Sequence, residues 1–82
     1  MVNNMIVKFP DLSAEMARCG ENQATLAELL DLPISAISRR MNGKIEFTKK
    51  EIDIICKHYS KTYEQLFKES TKWNYLTISK KD

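Results

Sequence analysis

The segment NQATLAELLDLPISAISRRMNGK, residues 22–44, decides how this chain folds. Two short helical patterns meet in it at Asp31, Leu32 and Pro33 with almost no linker, and the second pattern carries Arg39 and Arg40 side by side. In the first pattern Asn22 stands as N-cap, Leu26 and Leu30 fall four apart on one face, and Ala27 lies beside them. Asp31 occupies a tight turn that needs a residue tolerant of positive φ; glycine is best, and aspartate and asparagine come next. Pro33 forces Leu32 toward extended geometry and can open a helix itself, because the N–H it lacks would be unpaired there. The pattern predicts a third helix over residues 33–42, with Ile37 and Met41 inward at i, i+4 and Gly43 ending it.

Two helices crossing steeply over a turn of three or four residues make a helix-turn-helix unit. Such a unit needs a small residue where the helices approach, a residue that can make the turn, and apolar anchors in both helices. Ala27 meets the first need, Asp31 the second, and Leu26, Leu30, Leu32 and Ile37 the third.

Outward from this segment the chain continues to read as helix. PDLSAEMARCG, residues 10–20, predicts a first helix opened by Pro10 or Asp11, with Leu12, Met16 and Cys19 at helical spacing and Gly20 closing it. Thr48 and Glu51 have capping-box spacing before a fourth helix whose apolar stripe is Ile52, Ile55, Cys56 and Tyr59. Thr62 caps a short fifth helix that presents Leu66 and Phe67. NMIVKF (residues 4–9) and the segment 73–79 are apolar and rich in β-branched or aromatic residues, so each reads either as a strand or as a disordered tail.

Composition narrows the class of protein. At 82 residues a single domain is expected, near the size at which a core leaves little margin of stability, and a second catalytic domain is not. The N-terminus lacks the basic region, apolar length and cleavage site of a signal peptide, and no long apolar run suggests a membrane span, so the expected compartment is the cytoplasm. Cys19 and Cys56 both fall on apolar stripes and are expected to act as small free hydrophobes rather than as a disulfide.

Charge is unevenly spread. Residues 1–31 carry two basic against five acidic side chains, and residues 32–50 carry five basic against one acidic, so positive charge concentrates from the second half of the motif onward. A basic patch of this kind suits a polyanion such as DNA; a merely solvated face is the bland alternative. His58 and Cys56 lie two apart on one helix and face different ways, with no further ligand near, so no zinc site is expected. With one histidine, no glycine-rich phosphate loop and no nucleophile and base to pair, neither an enzyme nor a cofactor is expected.

Gln23, Leu26, Ala27, Leu32, Ile37, Ser38 and Gly43 stand at the spacing of the phage repressor and Cro type of helix-turn-helix proteins, the XRE-like or lambda-repressor-like family, which the chain resembles over residues 11–68. FTKKEIDIICKHYSKTYEQLF resembles the family's fourth and fifth helices, and SRRMNGKIEFTKKEI looks like the small regulators of phages and prophages. Asp31 replaces the family's favoured glycine, and Pro33 its polar cap. The resemblance implies an all-α, compact five-helix DNA-binding domain over residues 1–82. Its motif would lie at 23–43, with an N-terminal arm at 1–9 and a C-terminal extension at 69–82.

It further implies a third helix inserted in the major groove, with Ile34, Ser35, Ser38 and Arg39 at base edges. Arg39 is the one side chain among these able to make a bidentate contact to guanine; Ile34 suits a thymine methyl, and Ser35 or Ser38 a base or a phosphate. Ser35 and Ser38 could also bond only within their own helix. Gln23, with its helix N-terminus, would hold a phosphate, as would Asn42 and Lys44. Arg40 stays open between reaching a phosphate and lying along the protein with its stem buried. The expected partners are operator DNA and a second copy of the chain, with no small-molecule substrate. The competing reading is a helix-turn-helix fold used as an antirepressor-like protein-interaction module, which the modest net charge of +2 favours.

Overall fold

Helix ends set the path of the chain. The protein is seen here in a computed structural model that describes residues 8–69. It forms α1 (Pro10–Arg18), α2 (Gln23–Leu30), α3 (Ile34–Met41), α4 (Lys49–Tyr59) and α5 (Tyr63–Leu66), and no strand occurs among the described residues. Pro10 opens α1. The other starts rest on residues with extended backbones, and three of those have side-chain caps. Asn22 Oδ1 accepts from the Ala24 N–H at 3.0 Å. At α4 the Glu51 N–H donates to Thr48 Oγ1 (3.1 Å) while the Thr48 N–H donates to Glu51 Oε1 (3.0 Å), and Thr62 and Gln65 repeat that exchange at α5. Each exchange satisfies donors that a helix start would otherwise leave unpaired.

The first four helices all end by the same closure, in which a left-handed residue lets two N–H groups fold back onto the last turn. Gly20 (φ 71°) and Gly43 (φ 79°) serve α1 and α3, whereas Asp31 (φ 58°) and Ser60 (φ 55°) adopt the same conformation in α2 and α4. After α2, the Leu32 N–H reaches the Ala27 carbonyl at 2.9 Å and the Asp31 N–H reaches Glu28 at 3.3 Å. Pro33 is the N-cap of α3 rather than its first helical residue, since its ψ of 154° is extended. The observed helix therefore starts and stops one residue inside the predicted range 33–42.

α2 packs on α3 and α4, and α5 joins α1 to α4. Leu12, Leu26, Ile37, Ile55 and Leu66, one from each helix, are fully buried at the centre. Each such side chain removed from water contributes about 1.5–3 kcal/mol before ordering costs. Phe9, Phe47 and Phe67 close one end, with ring centroids 5.4–5.9 Å apart in tilted or edge-on pairs. Phe9 thus belongs to the core although the sequence assigns it to the arm, and with Lys8 it forms no strand. The remainder of the predicted terminal strands, residues 4–7 and 73–79, lies outside the described residues.

One expectation for the core is corrected. Cys19 is exposed, because α1 stops at Arg18 and the chain is already reversing toward Gly20. Cys56 is half-buried against the core, where burial pushes its thiol above the ordinary range; both thiols are free.

Candidate nucleic-acid interface

Consecutive residues on an α-helix are 100° apart, so a helix of eight residues sorts its side chains into faces. On α3, Ile37 and Met41 point into the core and hold the helix against α2. The outward face carries Ser35 and Arg39, both exposed, with Ser38 half-buried beside them and Asn42 exposed at the helix end, while Ile34 falls on the stripe of Ile37 and Met41, next to α2. Ile34 is 53% exposed, a large apolar side chain left in water at the first turn. Among the described residues the Arg39 side chain has no hydrogen-bond or ion-pair partner, so its five donors are available to a ligand. Asn42 Nδ2 donates to Ser38 Oγ at 3.4 Å, linking two of the predicted site residues.

Past the helix, Lys44 is exposed, and its N–H bonds to the Arg39 carbonyl at 2.8 Å. Gln23 is half-buried at the first position of α2, beside the capping Asn22. The structure thus gathers Ser35, Ser38, Arg39 and Asn42 on the outer face of α3, with Ile34 exposed at the start of the helix beside α2 and Lys44 tied to its end.

Arg40 has a different place. Its side chain is 12% exposed, and its guanidinium faces α4. Nε donates to Glu51 Oε1 at 2.9 Å, Nη2 to Glu51 Oε2 at 3.3 Å and Nη1 to the Ala36 carbonyl at 3.1 Å. Of the two placements that the sequence left open, the structure has Arg40 lying along the protein. The reason is angular: Arg40 sits 100° round from Arg39, on the side it shares with Ala36 and Ile37. Burial raises the Glu51 carboxyl, but hydrogen bonds from Arg40 and from the Thr48 backbone outweigh it, so Glu51 is held below the ordinary carboxylate range.

A second polar cluster anchors the start of the motif. Glu21, one residue before the α2 cap, accepts from Tyr59 Oη at 2.7 Å and lies 3.2 Å from His58 Nε2. The Tyr59 hydrogen bond, with His58 beside it, holds Glu21 below the ordinary carboxylate range, while burial, aided by Glu21, pushes the Tyr59 phenol upward. His58 is exposed and stands edge-on to Tyr59. Sequence reasoning missed both Glu21 and Glu51 as partners. For Glu51 a signal existed: Arg40 falls three residues after inward-facing Ile37, and a charge on that side of a helix requires a counter-charge.

Among the described residues no three His, Cys, Asp or Glu side chains converge as a metal site, and no helix is long and apolar enough to cross a membrane. A closed five-helix core that presents the outer face of α3 defines a small protein of the helix-turn-helix type. The family model of the BetR domain matches residues 11–75, and the chain belongs to that family. BetR domains are small helical DNA-binding domains of bacterial regulators and not enzymes, so the chain has a DNA-binding regulatory role. No curated protein and no solved structure matches the chain.

Proposed function

We propose that the protein is a sequence-specific transcriptional regulator of the phage or prophage repressor and Cro type, acting in the bacterial cytoplasm. It binds as a homodimer to a pseudo-palindromic operator, with the two α3 helices in successive major grooves about 34–36 Å apart. The observation that carries this reading is the outer face of α3: Ser35 and Arg39 are exposed there, and Ile34 at the first turn, on a helix whose inner face is buried at Ile37 and Met41. Arg39 reads guanine, Ile34 meets a thymine methyl, and Ser35 and Ser38 bond to bases or phosphates. Gln23, Asn42 and Lys44 hold the sugar-phosphate backbone and set the register. Arg40 supports the helix from behind.

The test is a footprint of the protein on the DNA flanking its own gene, repeated at two salt concentrations. A protected, two-fold-symmetric site whose occupancy falls steeply with salt is expected, since bound phosphates release counterions. An adaptor that binds only protein would leave no footprint at either concentration.

A further inference from the structure

We propose that Arg40 and Glu51 form a strut that sets the pose of α3, making Arg40 a positioning residue for base recognition and not a ligand of DNA. This inference rests on the DNA-binding reading of α3. All three guanidinium nitrogens of Arg40 are bonded inside the chain, two of them to the two oxygens of one carboxylate. Such two-pronged pairs fix orientation as well as distance. The side chains are only 12% and 16% exposed, so water competes little with the pair.

The strut links two elements that have few other ties. α3 packs mainly on α2, and the fork joins its C-terminal half to the first turn of α4. Glu51 is fixed from its own side, because the same Oε1 that binds Arg40 also accepts the Thr48 N–H of the capping box. Arg39 is the preceding residue, and its carbonyl accepts from the N–H groups of Lys44 (2.8 Å) and Ile45 (3.3 Å). A change in tilt at Arg40 therefore shifts Arg39 and Lys44 together. Base-edge hydrogen bonds depend on such placement far more than phosphate attraction does.

Glu51→Gln tests the strut cleanly, since glutamine also serves at this capping-box position and α4 keeps its cap. Duplexes selected by the native protein from a randomised pool, and scrambled duplexes of equal length, are titrated at several salt concentrations with native protein, Glu51→Gln, Arg40→Met and the double variant. Each protein is first checked for folding by circular dichroism. The strut predicts that both single variants lose about tenfold in affinity for the selected duplex. It also predicts unchanged binding to scrambled DNA, unchanged salt slope, and a double variant no worse than either single one. Simple electrostatics predicts the opposite sign for Glu51→Gln, because removing a negative charge strengthens attraction to a polyanion.

Arg40 acting as a phosphate ligand gives another pattern: Arg40→Met lowers the salt slope by about 0.9, and Glu51→Gln binds as native or tighter. That pattern overturns the strut. Should Glu51→Gln fail to fold, Arg40→Lys decides, because lysine keeps the charge and the stem but not the planar fork. Lost selectivity with an unchanged salt slope supports the strut, and native selectivity overturns it. If the native protein selects no duplex at all, the functional reading itself has failed, a result seen in the native arm and not in the variants.

Discussion

Arg39 and Arg40 are chemically identical neighbours whose surroundings could hardly differ more. The Arg39 side of α3 is exposed and, among the described residues, offers its guanidinium unpaired; the Arg40 side is nearly closed from water and spends its guanidinium on Glu51 and Ala36. The two faces are one residue apart in sequence and one 100° step apart in space. On this helix, among the described residues, the charge on the outer face is unpaired and the charge on the inner side is bonded to the rest of the fold. A count of basic residues in the motif cannot separate the two.

The contrast can be broken most severely from inside. Ile37→Ala empties a fully buried position on the inner face and should lower unfolding free energy by about 2–5 kcal/mol, measured by urea titration; a loss under 1 kcal/mol would show that α3 is not seated as described. Ala27→Leu crowds the junction of α2 and α3 and should cost about 1–3 kcal/mol, with DNA binding lost only in proportion to unfolding. On the outer face Arg39→Ala should leave the melting temperature unchanged and cost about 1–3 kcal/mol of discrimination at one base position, read by titrating single-base variants of the selected duplex. Equal affinity for all those duplexes before and after the change would remove Arg39 from the recognition surface.

Smaller effects sharpen the picture. Lys44→Ala should weaken binding to every sequence alike and reduce the salt slope by about 1. The Glu51 carboxyl is held low in the folded state, so its contribution to stability is full above the ordinary glutamate value of 4.5 and is lost as pH falls through the depressed folded-state value. Acid unfolding followed by circular dichroism should therefore be less steep in Glu51→Gln than in the native protein. Asp31→Gly relieves a left-handed aspartate and should raise stability by up to about 1 kcal/mol.

Much of the frame was legible in residue types with narrow uses. Asn22, Thr48 and Thr62 mark helix starts because few side chains can accept from a helix N-terminus, and Gly20, Gly43 and Asp31 mark ends because few residues tolerate positive φ. Ser60 was less legible, since serine has no special claim on that conformation, yet it closes α4. The spacing of Ile37 and Met41 identified the inner face of α3 and so, by subtraction, the outer one. Cys19 misled because helical spacing is informative only while the helix lasts, and α1 ends one residue earlier. Phe9 and Phe47 lie outside any periodic stripe, so their meeting with Phe67 had no local signal.

Local chemistry in the sequence thus determined where the chain turns, which residues line each helix face, and that a basic helix follows a tight turn after α2. These depend on backbone sterics and on spacing within a few residues. Only the tertiary structure decided which partner each charge takes. The Arg40–Glu51 and Glu21–Tyr59 pairs span 11 and 38 residues, and nothing in the intervening sequence encodes that two helices packed on a shared core will bring those atoms within hydrogen-bonding distance.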